Sequence, residues 1–239
     1  MKNESRILIA SPARQEAHIF DEYRKSLAEL IVPDGYAVDT FFVINNCTEL
    51  KKHMYPQDEW ITVESDYEYE KTSNDHLWTK SNMEFVGKLR NRIIQYALQN
   101  GYDYVFSVDT DLILHPFTLQ QLLKTDKDIV SEIFWTNGWC NAWMEDQAEG
   151  MFQMWQIPGL YRCGMTGACT LIKCNVFKSG VNYSRIPNIV NALYGEDRYF
   201  CVRAACAGFE LFVDTHYPAT HLYTENDYID YMRKKEEQR

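Results

Sequence analysis

The sequence predicts an α/β fold in which a mostly parallel central sheet is flanked by helices, and three observations carry that reading. Strand-like and helix-like segments alternate through the first half, the strand-like ones are near-continuous apolar runs, and one of them, "YDYVFSVD", runs straight into an aspartate pair, Asp109 and Asp111. Alternation of this kind builds parallel sheets covered by helices on both faces, so their strands are buried on both sides. Ligands in such sheets sit beyond the carboxyl ends of the strands, where the two aspartates fall.

The segments follow in order. "RILIAS" is a strand, and "QEAHIFDEYRKSLAEL" carries apolar residues at helical spacing. Pro33, Asp34 and Gly35 make a turn into a second strand, "YAVDTFFVIN", and "EWITVE" is a candidate third. The polar stretch "SDYEYEKTSNDHLWTKSN" is too irregular to assign and has the length of a functional loop. "MEFVGKLRNRIIQYALQNG" is a helix with Gly101 as its stop, feeding the strand that ends at Asp109.

The second half changes character. Residues 132–177 concentrate Trp135, Trp139, Trp143 and Trp155 among glycines and are expected to form antiparallel strands and loops. "GEDRYFCVRAACAG" is a helix ending at Gly208, "FELFVDTHYPATHLY" a last strand with a trailing loop, and "NDYIDYMRKKEEQR" a charged terminal helix. With no internal repeat and no linker, one domain over 1–239 is expected: a nucleotide-binding half to about 115, an acceptor and catalytic half over about 116–223, and the helix from 224.

Composition narrows the function classes. A formal charge of −10 and a pI of about 5.1 oppose a broad surface for nucleic acid or anionic lipid. The N-terminal apolar run is too short for a secretory signal and no stretch is long enough to span a bilayer, so a soluble cytoplasmic protein is expected. Seven cysteines without CxxC spacing support neither a disulfide framework nor a zinc site, and reduced, mostly buried thiols are expected.

Asp109 and Asp111 are the sharpest signal. On a strand, side chains alternate, so both carboxylates are expected on one side with Thr110 on the other, and two such charges need a cation, a proton or solvent to answer them. A divalent metal is one answer and a solvated turn the plain alternative. Three other pieces accompany the pair: the basic helix segment "KLRNR", "GED" at 195–197 opening a helix, and "HYPATH" near the C-terminus.

In that order and spacing the four pieces resemble the GT-A glycosyltransferases, especially the large inverting bacterial group, over roughly residues 5–223. The resemblance implies a Rossmann-like, mostly parallel sheet with a smaller antiparallel sheet on the acceptor side. It also implies a metal-dependent hexosyltransferase that moves a sugar from a nucleoside-diphosphate sugar, UDP-linked by preference, to a glycan, lipid-linked or protein acceptor. In the family the DxD pair holds Mn2+ or Mg2+ against the donor diphosphate, a hard-ion role suited to oxygen ligands. Asp111 is then the direct ligand, Asp109 reaches the ribose or the metal through water, and Thr110 lies between them in the donor site.

The remaining roles are implied in the same way. Arg90 and Asn91 match the "RN" of the nucleotide-facing helix, with Arg90 chosen over Lys88 and Arg92 to fork onto phosphate. Ser11, Pro12 and Arg14 match the loop closing over the nucleobase, and Asn45 and Asn46 stand where relatives read uracil, although an Asx turn explains the asparagines equally well. Gly164 and Gly167 match the small-residue backbone beneath the donor sugar, or simply a tightly packed strand. Glu196 and Asp197 match the "ED" motif whose aspartate deprotonates the acceptor, with the helix dipole keeping the carboxylate ionised. His221 is the candidate third metal ligand and His216 its alternative. The four tryptophans are candidate stacking platforms for acceptor sugars. A nucleotidyltransferase would show a Gly-rich first loop that "SPARQEAH" lacks, and a non-catalytic nucleotide-sugar-binding subunit would have no need of "GED".

Overall fold

The computed structural model describes residues 4–66, 78–144 and 157–237. In the first half the order is β1 (Ser5–Ala13), α1 (Ala17–Ala28), β2 (Tyr36–Asn45), β3 (Glu59–Val63), α2 (Lys80–Gln99), β4 (Tyr104–Ser107) and β5 (Leu112–Ile113). The second half runs α3 (Thr118–Lys124), β6 (Ile129–Glu132), β7 (Trp135–Thr136), β8 (Trp139–Cys140), β9 (Ala142–Trp143), β10 (Leu160–Cys163), β11 (Met165–Thr166) and β12 (Thr170–Lys173). It closes with α4 (Cys174–Lys178), α5 (Glu196–Cys206), β13 (Leu211–Asp214), β14 (Thr220–His221) and α6 (Glu225–Glu237).

Eight strands form one sheet in the order β10-β13-β6-β12-β4-β1-β2-β3. β1, β2, β3 and β4 are mutually parallel, as are β6 and β13, whereas β12 runs antiparallel to both its neighbours and β10 antiparallel to β13. The alternation of β1 builds the layers: Ile7 and Ile9 join a core with Ile19 and Phe20 of α1 and Leu119 of α3, while Leu8 and Ala10 join one with Leu89 and Ile93 of α2 and Phe200 of α5. The fold is the predicted mixed α/β class, with helices on both faces. Small antiparallel pairs, β7 with β8, β9 with β11 and β5 with β14, lie outside the main sheet.

The segment read as an unassigned polar loop divides, its last residues opening α2 and 67–77 lying outside the described residues. Residues 174–177, read as strand or loop, form α4. All seven cysteines are free, five of them buried, with Cys47 half-buried and Cys206 exposed. No helix among the described residues is long and apolar enough to cross a membrane.

Register also places two acids side by side where β6 and β13 pair, Glu132 opposite Asp214, both fully buried. Asp214 accepts hydrogen bonds from Gln121 Nε2 (2.9 Å) and the His216 amide (2.9 Å), so its charge is answered. Burial, with Asp214 adding to it, pushes Glu132 up from the ordinary 4.5 to about 9. The folded chain thus keeps a proton that the unfolded chain gives up, and this contribution to stability is complete below the unfolded pKa and lost as pH rises toward the folded one. Thermal melting of the parent is expected to fall between about pH 5 and 9 more steeply than that of Glu132→Gln, whose amide cannot ionise. Parallel slopes would show that Glu132 titrates normally.

Candidate active site

The carboxyl ends of β1, β2 and β4 open into a cleft of about 720 Å³, a size typical of small-molecule sites. Pro12, Arg14, Asn45, Asp109, Thr110 and Asp111 line one part of it. Trp78, Trp139, Trp143, Gly167, Glu196, Asp197 and His221 are also among its lining residues. The strand ends therefore deliver the aspartates to a ligand-sized space.

The local geometry differs from alternation along a strand. β4 stops at Ser107, and residues 109–111 form a turn closed by the Leu112 amide donating to the Asp109 carbonyl at 3.1 Å. Asp109 and Asp111 therefore turn to different partners. Arg90, on α2 and only 4% exposed, donates from Nη1 to Ser107 Oγ and from Nη2 to Asp109 Oδ1, both at 2.8 Å. Its Nε lies 3.8 Å from Asp197 Oδ1 and 4.0 Å from Glu196 Oε1. The guanidinium predicted to fork onto phosphate instead faces protein partners at the end of β4 and the start of α5.

Two glycines permit this convergence. A Cβ at Gly87 would lie 2.7 Å from the Tyr183 carbonyl oxygen and 3.2 Å from Glu196 Cβ, so only glycine lets α2 approach the start of α5 so closely. A Cβ at Gly167 would lie 3.0 Å from Asp197 Oδ2. The room on the Cβ side of Gly167 is filled by the carboxylate of Asp197. Thr166 Oγ1 donates to Ser131 Oγ (2.5 Å), which pairs with Thr170 Oγ1 (2.6 Å), and this fixes the chain around Gly167 to β6.

The electrostatics of Glu196 and Asp197 also depart from the helix-dipole expectation. Burial raises both, Glu196 to about 8 with Asp197 adding to the rise, while Arg90 pulls each of them back. Desolvation in the cleft outweighs the dipole, a surface-scale effect of about 0.3–1 kcal/mol. The pair therefore holds a proton to higher pH than two isolated carboxylates would.

His221 reaches the site through β-pairing. β14 lies against β5 with His221 opposite Leu112, and the Leu222 amide donates to the Asp111 carbonyl at 2.8 Å. His221 Nδ1 is 2.8 Å from Thr136 Oγ1, and Nε2 is 3.5 Å from Asp111 Oδ2. Burial lowers its pKa, but the surrounding carboxylates, Asp111 first and Asp109 and Asp227 after it, make the net shift upward. Among the described residues no three His, Cys, Asp or Glu are grouped closely enough to cage an ion. One carboxylate beside one imidazole fits the other mode of holding Mg2+ or Mn2+, in which substrate phosphate and water complete the shell.

Several predicted residues lie elsewhere. Ser11 is fully buried, hydrogen-bonded to Tyr23 (2.8 Å) and donating to the Val108 carbonyl, so it braces the aspartate turn from behind. Asn46 has φ +54° and trades hydrogen bonds with the backbone of Ser65 beyond β3, a long-range tie in place of the Asx turn. Asn91 accepts from the Tyr183 amide and donates to Ser184 Oγ, Lys88 and Arg92 are exposed, and the Gly164 amide donates to the Trp143 carbonyl. His216 is held by Asp214 and Gln121 outside the cleft. Trp135 packs on the core, Trp139 (57% exposed) and Trp143 line the cleft, and Trp155 lies outside the described residues.

Sequence reading missed Gly87, Ser107, Thr136 and Arg198. A glycine inside an otherwise helical run was an available signal for the first. The others are ordinary residues whose positions depend on long-range packing.

A family model described as "Glycosyltransferase family 25, N-terminal domain" matches residues 5–156. Procollagen galactosyltransferase 1-A of Xenopus laevis is 27% identical over 150 residues, 56% of this chain and 24% of that protein. Procollagen galactosyltransferase 1 of Danio rerio is 28% identical over 151 residues, 56% of this chain and 25% of that protein. The matched region thus spans about a quarter of these relatives. Among solved structures, S. aureus TarS 1-349 superposes with TM-score 0.54 at 15% identity, covering 95% of this chain and 63% of that one. The catalytic domain of Drosophila beta1,4galactosyltransferase 7 gives 0.51 at 14%, covering 93% and 72%. The mannosyltransferase PcManGT from Pyrobaculum calidifontis, solved with GDP-Man and Mn2+, gives 0.51 at 14%, covering 89% and 55%. These neighbours have the GT-A fold.

The buried guanidinium yields a stability test. Arg90→Met keeps the bulk and removes the cation, leaving Asp109, Glu196 and Asp197 without their shared counter-charge. Denaturant unfolding is expected to register a loss of about 3 kcal/mol or more, the usual cost of breaking a buried ion pair from one side. A loss below about 1 kcal/mol would equate Arg90 with a surface pair and sink the bracing role.

Proposed function

We propose that this chain, which belongs to the glycosyltransferase family 25 N-terminal domain family and is a glycosyltransferase, moves a hexose from a UDP-sugar to an acceptor hydroxyl with inversion at the anomeric carbon. One observation carries the reading: Asp111 and His221 meet in the same cleft that holds Asp197, two different chemistries opening on one space. TarS has been solved with UDP-GlcNAc and PcManGT with GDP-Man and Mn2+, which supports a nucleotide sugar and a divalent ion here.

Asp111 and His221 would hold Mn2+ or Mg2+ together with the donor diphosphate, and when bound such an ion stabilises charge on the departing nucleoside diphosphate. Pro12, Arg14 and Asn45 line the end of the cleft assigned to the nucleoside, and Asp109, fixed by Arg90, is assigned to the ribose. The acceptor hydroxyl oxygen attacks the anomeric carbon, the bond from that carbon to the diphosphate oxygen breaks, and Asp197 takes the hydroxyl proton. Arg90 serves by holding Asp109 and Asp197 in place. Trp139 and Trp143 are the tryptophans positioned to stack on an acceptor sugar.

Two measurements test this. Calorimetry of UDP binding is expected to require Mn2+ or Mg2+ and to weaken greatly in Asp111→Asn, and equal affinity with and without chelator would overturn the metal role. Asp197→Asn is expected to slow transfer by roughly 10² to 10⁴-fold at nearly unchanged UDP affinity. Because Asp197 is raised, the acidic limb of kcat/KM should lie above the ordinary carboxylate range, the rate falling as pH drops through it. A limb at an unperturbed aspartate's pKa would remove Asp197 from the base role.

A further inference from the structure

One cation in the cleft is left over by this reading. Arg198 follows Asp197 on α5 and lines the same cleft. Its side chain is held on three sides: Cδ runs along Gly195, Nη1 donates to the Tyr194 carbonyl at 2.9 Å, and the guanidinium carbon stands 4.7 Å from the centroid of the Trp143 ring. Among the described residues it forms no ion pair, in contrast to Arg90, which is shared by three carboxylates. A guanidinium restrained by packing and a backbone carbonyl, with donor capacity left over, is prepared for an anion at little ordering cost.

Its position indicates which anion. Within the cleft, Asp109 and Asp111 lie at the end of β4, and a donor diphosphate carries charge that a divalent ion can answer there. Arg198 is instead next in sequence to the residue read as the acceptor's base, and it rests on Trp143, which lines the same space together with Trp78 and Trp139. An arginine side chain spans about one sugar ring, so a group held by it would sit on the sugar being modified or on its neighbour.

We propose that Arg198, stacked on Trp143, is an acceptor-specificity residue that selects an acceptor carrying a carboxylate or phosphate within one sugar of the reacting hydroxyl. The proposal rests on the assignment of Asp197 to the acceptor side and deepens that reading. The planar fork matches either oxyanion, and a charge-assisted pair in a partly desolvated cleft is about twice as strong as a neutral hydrogen bond.

The test uses the full chain with UDP and Mn2+ and three probes measured by calorimetry: p-nitrophenyl glucoside, p-nitrophenyl glucuronide for the carboxylate arm and p-nitrophenyl glucoside 6-phosphate for the phosphate arm. The parent is expected to bind at least one anionic probe about tenfold tighter than the neutral one. Arg198→Gln should abolish that preference and Arg198→Lys should keep part of it, with UDP affinity within about twofold throughout. Equal binding of all three probes by the parent, or a preference that survives in Arg198→Gln, overturns the proposal. A parent that binds an anionic probe preferentially but binds no UDP leaves the Arg198 subsite standing and overturns the donor reading instead.

Discussion

The site depends on one buried cation. Arg90 is surrounded by the end of β4, through Ser107 and Asp109, and the start of α5, through Glu196 and Asp197. These segments are almost ninety residues apart in sequence, and among the described residues neither pairs with a second cation buried to the same degree. In a low-dielectric setting an unpaired arginine would be costly, so its two hydrogen bonds and its ion pairs with Glu196 and Asp197 tie the guanidinium and the carboxylates to one another. The donor-side and acceptor-side carboxylates are consequently oriented before any substrate arrives, which is the form of preorganisation a site needs.

Short pieces of β-structure complete what Arg90 begins. β5 and β14 are two residues each, yet their pairing carries His221 from the far end of the chain to Asp111. Ser11 performs the matching service from beneath, its hydroxyl bound to the carbonyl just before Asp109. The aspartate turn is thus held from α2, from β1 and from the C-terminal loop. Side chains that looked like ligand contacts act in two of these cases as supports for the residues that do face the cleft.

Much of the fold was legible because its signals are local. β2 appears over the ten residues whose apolar pattern marks it, and α5 begins after the Gly195 that opens "GED". The site was legible as a set of segments, since the DTD turn, "GED" and His221 do meet. Individual roles were not, because a side chain's partner depends on packing that a linear pattern does not contain. Nothing in "KLRNR" reveals that Arg90 points inward while Lys88 and Arg92 point out, or that Asn91 ties down Tyr183. The helix dipole at "GED" was a real effect, but its small magnitude could not compete with desolvation that only the closed cleft supplies.

The reversed strand β12 has a consequence for how this molecule can diversify. Because it enters the sheet against β4, with Thr170 beside Ser107, the loop preceding it returns to the edge from which the aspartate turn departs. About sixty residues therefore leave the cleft floor and come back to it a few ångströms away, both ends clamped by strand pairing. Within that excursion β6 and β10 are fixed in the sheet, and it is the connection after β6 that can lengthen, shorten or change its chemistry at modest entropic cost while the carboxylates stay where they are. Trp139 and Trp143 lie on that connection, so part of what the cleft accepts is encoded in a stretch that can vary while the strands carrying the carboxylates are kept.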